Sequence, residues 1–154
     1  MKKGFTMLEL LIIAAVVGIL SFMAVPRLSD VKDSGRAAEM QKDLTDVRVA
    51  LEKYYVLTEE YPKLAGKEDS LREIVVEGTD GKPVNFGEIL GKRAMPSTPK
   101  VESIEGTNKV HDIQKFIKGT ERGGWNYNQE EGTGEIHVNL PENIFQQSVD
   151  WSKQ

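Results

Sequence analysis

Between Leu10 and Val25 the chain runs for 16 residues with neither a charge nor a proline. Extended back to Phe5, the stretch is 21 residues long. As an α-helix it would measure about 31 Å, the thickness of a bilayer's hydrocarbon core. Such a segment must lie in lipid or against other apolar protein surface. Lys2 and Lys3 precede it. A positive flank stays cytoplasmic, so the rest of the chain is expected on the outer side of the membrane. One residue resists this simple account. Glu9 stands near the start of the apolar run, and a carboxylate at the centre of a spanning helix costs about 2.5–3.5 kcal/mol. Near the end the cost is smaller, but the acid still calls for a positive partner.

Three readings of the segment compete. A cleaved secretory signal peptide explains the basic start and the apolar middle. Its exit, Ser21-Phe22-Met23-Ala24-Val25-Pro26-Arg27, offers no good small-residue cleavage site. A plain membrane anchor explains length and flanks but not Glu9. The third reading starts from Gly4-Phe5-Thr6-Met7-Leu8-Glu9. This stretch resembles the processing site of type IV pilins and type II secretion pseudopilins. The resemblance implies that a dedicated prepilin peptidase and methylase cuts between Gly4 and Phe5 and N-methylates Phe5. It also implies that Glu9 pairs with the N-terminal amine of a neighbouring subunit in a filament. A buried acid becomes tolerable when an amine compensates it, and that amine exists only after cleavage. Glu9 would then set the register of assembly. The leader, Met1-Lys2-Lys3-Gly4, is shorter than many in the family but keeps the basic character. Gly18 and Pro26 sit where the family tends to place helix-weakening residues. Glycine costs about 1 kcal/mol in a helix interior and proline removes a backbone hydrogen bond, so Gly18–Pro26 can bend or lose helicity on packing. The alternative is close packing at Gly18 and a simple kink at Pro26.

Beyond Pro26 the composition turns polar. Met40, Leu44, Val47, Leu51 and Tyr54 follow steps of 4, 3, 4 and 3, one stripe on a helix. Gln41, Lys42, Asp43, Asp46, Arg48, Glu52 and Lys53 lie between them and are expected mostly on the wet face. Gly35 interrupts this helix as a joint or a tolerated glycine. The helix should fade around Val56–Thr58, with Tyr61-Pro62 marking the exit. The run from Leu51 through Tyr54-Tyr55 to Tyr61-Pro62 again looks like the end of a pilin's long helix, so the resemblance covers Lys2–Pro62.

The C-terminal region is less regular. Ser70–Val76 reads as a short helix, Glu77–Pro83 as a turn, Phe86–Leu90 as a helical turn and Ala94–Pro99 as a loop. Val110–Lys118 reads as helix or loop. Trp125 and Tyr127 alternate with asparagines, and Ile136, Val138 and Leu140 alternate after a glycine-bearing loop. Two alternating runs around such a turn predict a β-hairpin. The hairpin pattern is similar to the C-terminal sheet of many pilin-like proteins. Trp125 is expected to pack in the core with its indole N–H on a polar partner; ligand stacking is the alternative.

Chemistry for catalysis is not evident. The chain has no cysteine, which excludes disulfides, thiolate metal sites and a cysteine nucleophile. Its two histidines, His111 and His137, are far apart in sequence. Gly132-Thr133-Gly134 lacks the context of a phosphate loop, and no serine sits in a nucleophile elbow. Asn126, Asn128, Glu130 and Glu131 are oxygen donors of the kind calcium takes, but their spacing matches no defensible loop. A net charge of −4 is a poor match to nucleic acid.

The expectation is an α+β chain with no metal or other cofactor: a long N-terminal α-helix, membrane-spanning then amphipathic, packed on a small C-terminal antiparallel β-sheet head. Residues 1–4 are the leader, 5–26 the membrane or filament-core helix, 27–61 its amphipathic half, and 62–154 a globular region with a hairpin near 124–140. The resemblance implies a structural filament subunit, not an enzyme. Its implied partners are other copies and related pilins, the prepilin peptidase, the cytoplasmic membrane and an inner-membrane assembly platform. Before assembly the chain would sit in the inner membrane with its head outside, and afterwards in a periplasmic or surface filament. The alternative is a membrane-anchored extracellular binding module, for example a minor or DNA-uptake pilin.

Overall fold

The computed structural model describes residues 7–101, 103–113, 120–145, 148–151 and 153, with the backbone alone for 22–30. One helix dominates. α1 (Met7–Thr58) is continuous over 52 residues, about 78 Å. It passes unbroken through Gly18, Pro26 and Gly35. It stops because Glu59 takes a left-handed backbone, φ 60°. Thr58 secures the stop: its hydroxyl donates to the Tyr54 carbonyl at 2.9 Å and accepts from the Glu60 N–H at 3.3 Å. The break thus falls before Tyr61-Pro62.

The head is built from short elements. A 3-10 turn at Leu71–Glu73 leads into β1 (Val75–Glu77), which pairs antiparallel with β2 (Pro83–Asn85). The short helix expected over Ser70–Val76 is therefore replaced by a turn and a strand. The β-branched Val75 and Val76 lie opposite Asn85 and Val84, and pairing across strands outweighs the helical spacing of Leu71, Ile74 and Val75. α2 (Phe86–Leu90) starts at Asn85, whose side-chain oxygen accepts from the Glu88 N–H at 3.1 Å, and ends at Gly91 in a left-handed conformation.

The second sheet runs β3 (Val110–Asp112), β4 (Trp125–Tyr127), β5 (Ile136–Val138), in that order. β4 and β5 form the expected hairpin. β3 pairs with β4 in parallel, so the sheet is mixed and not antiparallel. A parallel neighbour needs a crossover of about a dozen residues, and the chain between β3 and β4 supplies it. That crossover includes 114–119, outside the described residues; so the helix-or-loop reading of Val110–Lys118 gives way to a strand over its first three positions. Gly124 marks the tight point. Its φ is +78°, and a Cβ there would overlap the Lys109 carbonyl that accepts the Trp125 N–H at 2.8 Å.

The stripe on α1 and the sheet share one core. Met40, Leu44, Val47, Leu51 and Tyr54 cluster with Trp125, Tyr127, Ile136, Val138 and Leu140. Trp125 is buried and its indole N–H donates to the Pro96 carbonyl at 2.7 Å. Tyr127 donates its hydroxyl to the Pro62 carbonyl at 2.9 Å. The other sheet face is buried too, and it is polar: Asn126, Asn128, His137 and Asn139 all lie inside. Asn139 accepts from the Glu121 N–H (2.9 Å) and donates to Thr120 Oγ1 (2.9 Å) and the Gly123 carbonyl (2.8 Å). It holds the end of the crossover against the sheet. Near the C-terminus Phe145 and Trp151 meet edge to face at 5.5 Å, a contact without a sequence signal.

Two predictions follow from this packing. Gly132 and Gly134 both have positive φ, but a Cβ at Gly132 meets nothing whereas one at Gly134 overlaps the Tyr61 ring. In urea titrations of the detergent-solubilised chain, Gly132→Ala should cost about 1–2 kcal/mol from backbone strain alone. Gly134→Ala should cost about 2–5 kcal/mol through added overpacking. Burial pushes the Tyr127 phenol well above its ordinary value. A phenol that holds its proton more tightly when folded favours the folded state only while unfolded tyrosine is neutral. The urea midpoint should therefore stay flat from about pH 7 to 9 and fall above about pH 10. Tyr127→Phe should make that fall shallower.

Candidate assembly surface

The head packs on only part of α1. Among the described side chains the first buried one along the helix is Ala37, 2% exposed. Upstream, over 7–20, every residue is exposed, including Met7 at 89%, Leu8 at 69% and Leu20 at 60%. Leu10, Leu11, Ile12, Ile13, Val16, Val17 and Ile19 join them. Apolar surface on this scale, on every side of a helix, marks a site of contact with lipid or protein. Among the described residues no helix is long and apolar enough to cross a membrane. The fully described part, 7–21, holds 15 residues, about 22 Å of helix, and the segment read as spanning continues on either side of it.

Within this surface Glu9 is exposed, between Leu8 and Leu10. Gly4 and Phe5 lie outside the described residues. Nothing stands within 4 Å of a Cβ built at Gly18, so a neighbouring backbone can approach there. Ser21 turns its hydroxyl back onto the Val17 carbonyl at 2.7 Å, which keeps this polar group inside the helix's own hydrogen bonding. Pro26 has no N–H to offer the turn before it.

The charges of 36–53 divide differently from their sequence reading as a wet face. Lys42 pairs with Asp46 at 2.8 Å on the outside, and Asp46 holds the Lys42 ammonium above its ordinary value. Asp43 instead turns inward, its side chain 14% exposed, to meet Lys92 at 2.8 Å. Arg48 reaches the Ile136 carbonyl on β5 at 2.8 Å, and burial lowers its pKa while Glu135 opposes the shift. Both residues flank the apolar stripe, next to Leu44 and Val47, so they sit at the edge of the head. That adjacency was the sequence signal for two ties between helix and head.

The register brings His111, Asn126 and His137 into one row across the second sheet, despite their distance in sequence. Among the described residues no group of three His, Asp or Glu is placed to hold a metal. Of the candidate calcium donors, Asn128 and Glu131 bond to each other, whereas the Asn126 oxygen is buried without a hydrogen bond among the described residues. Asn126 donates to Asn139 Oδ1 at 3.3 Å, and Asn128 donates to Glu131 Oε2 at 2.7 Å while accepting from the Glu131 N–H at 3.1 Å.

No family model and no solved structure matches the chain. It is 30% identical over 101 residues to the type II secretion system core protein G of Vibrio cholerae, covering 64% of this chain and 65% of that protein. It is 25% identical over 125 residues to a fimbrial protein of Neisseria meningitidis, covering 81% of this chain and 66% of that one. It is 42% identical over 48 residues to the type IV narrow pilus major component PilA5 of Thermus thermophilus, 31% of this chain and 41% of the other. The chain spans less than two thirds of the length of the curated relatives it matches. In sequence the chain is thus similar to type II secretion pseudopilins and type IV pilins.

Proposed function

We propose that the chain is a structural subunit of a type IV pilus-like or type II secretion pseudopilus filament. One observation carries the reading: the first half of α1 is exposed throughout 7–20 and carries no charge there but Glu9, while its second half bears a folded head. Before assembly, residues 5–26 would anchor the chain in the inner membrane with the head outside. After cleavage between Gly4 and Phe5 and methylation of Phe5, copies would leave the bilayer and pack these helices together. The apolar surface is then used twice, first against lipid and then against protein. Glu9 would meet the new N-terminal amine of a neighbouring copy, which offsets the cost of burying its carboxylate. Gly18 and Pro26 would let the helix adjust as it packs. Peptidase and assembly platform are the partners this route requires. The role is structural, not catalytic.

Mass spectrometry of protein purified from its host tests the processing. The expected mature chain lacks Met1–Gly4 and carries one methyl group on the Phe5 nitrogen; an intact start, or a cut near Val25, overturns the reading. Glu9→Ala tests assembly. It should insert in the membrane as wild type does but give filament yields lower by about tenfold or more. Unchanged yield would remove Glu9 from the mechanism.

A further inference from the structure

Where the head first meets α1, just before Ala37, a cleft of about 490 Å³ lies between Asp33 and Arg36 on the helix and Ile104, Pro141, Glu142 and Ile144 of the head. Two of its charges are unspent. The Asp33 side chain is only 19% exposed, yet among the described residues its one partner is Arg36 at 3.6 Å, too long for a hydrogen bond. An ion pair of this kind is worth little. It leaves the carboxylate, and the five N–H groups of the guanidinium, open to a ligand.

Position narrows what that ligand is. Asp33 stands seven residues beyond Pro26, where the apolar run closes, about 10 Å along the helix. Headgroups extend a bilayer by about 5–8 Å beyond its hydrocarbon on each side. Helix side chains lean towards the N-terminus, which here is towards the membrane. With residues 5–26 in the bilayer, the cleft sits at the outer edge of the headgroup layer.

Charge narrows it further. Two carboxylates, Asp33 and Glu142, line the cleft with one guanidinium, so a purely anionic headgroup meets net repulsion. A headgroup with both a phosphate and a primary ammonium meets both signs. Its phosphate oxygens can accept two parallel N–H bonds from Arg36, and its ammonium brings three donors to the carboxylates. A quaternary ammonium has no N–H to bring. Ile104 and Ile144 offer apolar contact to the short carbon link between the two charges.

We infer that this cleft takes the zwitterionic headgroup of a phosphatidylethanolamine-type lipid, its phosphate on Arg36 and its ammonium on Asp33 and Glu142. The site rests on the reading of residues 5–26 as a membrane anchor and adds a selective lipid contact to it.

Native mass spectrometry reads the site in the full-length chain, released by mild detergent from vesicles holding equal amounts of phosphatidylethanolamine, phosphatidylcholine and phosphatidylglycerol. The wild type should retain phosphatidylethanolamine over either other lipid by about tenfold. Arg36→Gln and Asp33→Asn should abolish that preference, whereas Lys42→Gln, on the outer face of the helix, should leave it unchanged. Asp33→Lys should turn the preference to phosphatidylglycerol, a gain that loss of folding does not produce. Equal retention of the three lipids by the inserted wild type overturns the site and leaves the anchor reading standing. Binding of water-soluble glycerophosphoethanolamine without enrichment of the whole lipid overturns the lipid assignment. A wild-type chain that does not enter the vesicles overturns both readings.

Discussion

A single helix has to satisfy two incompatible surroundings, and the rest of the structure follows from how it divides them. Over Ala37–Tyr54 one stripe of α1 is sealed by the head, while over 7–20 every residue is exposed and none of the described residues covers it. Because α1 is continuous, the head cannot fold back to cover the apolar half. The uncovered surface must be met from outside, and hydrophobic burial of this size is a strong drive towards lipid or other copies. The molecule is thus stable as a head and incomplete as a helix.

The head secures itself to α1 by more than apolar contact. Asp43–Lys92 and Arg48 to the Ile136 carbonyl tie the flanks of the stripe to two different parts of the head. Tyr127 and Trp125 each bury a large ring and spend their polar ends on backbone carbonyls of Pro62 and Pro96. These bonds orient the sheet against the helix, since a buried carbonyl left without a donor costs about 1–3 kcal/mol. On the opposite face, Asn139 gives the returning crossover its hydrogen bonds. The sheet is therefore apolar towards the helix, and on its other face Asn139 meets the described end of the crossover at Thr120, Glu121 and Gly123.

Much of this was legible beforehand. The apolar run, the 4-3 stripe from Met40 to Tyr54, the helical turn at Phe86–Leu90 and the hairpin around Gly132 and Gly134 all come from local periodicity and turn chemistry. The placement of Val110–Asp112 was not. A three-residue strand is too short to show alternation, and its parallel partner lies beyond a crossover. Val75 and Val76 fitted a helical spacing, yet their cross-strand neighbours decided for strand. Asp43 and Arg48 read as surface charges because their place beside the stripe does not reveal which distant group arrives there, Lys92 or the Ile136 carbonyl.

What the sequence by itself determined is the division of α1 into an apolar half and an amphipathic half, with one acid set near the apolar start. Periodicity and charge are properties of neighbouring residues and need no fold to be read. Only the tertiary structure decided the mixed sheet, the row of His111, Asn126 and His137, the polar buried face and the inward turn of Asp43. Each of those depends on which distant segment arrives alongside, and that is settled by long-range pairing and by closure of one shared core, not by the local pattern of the chain.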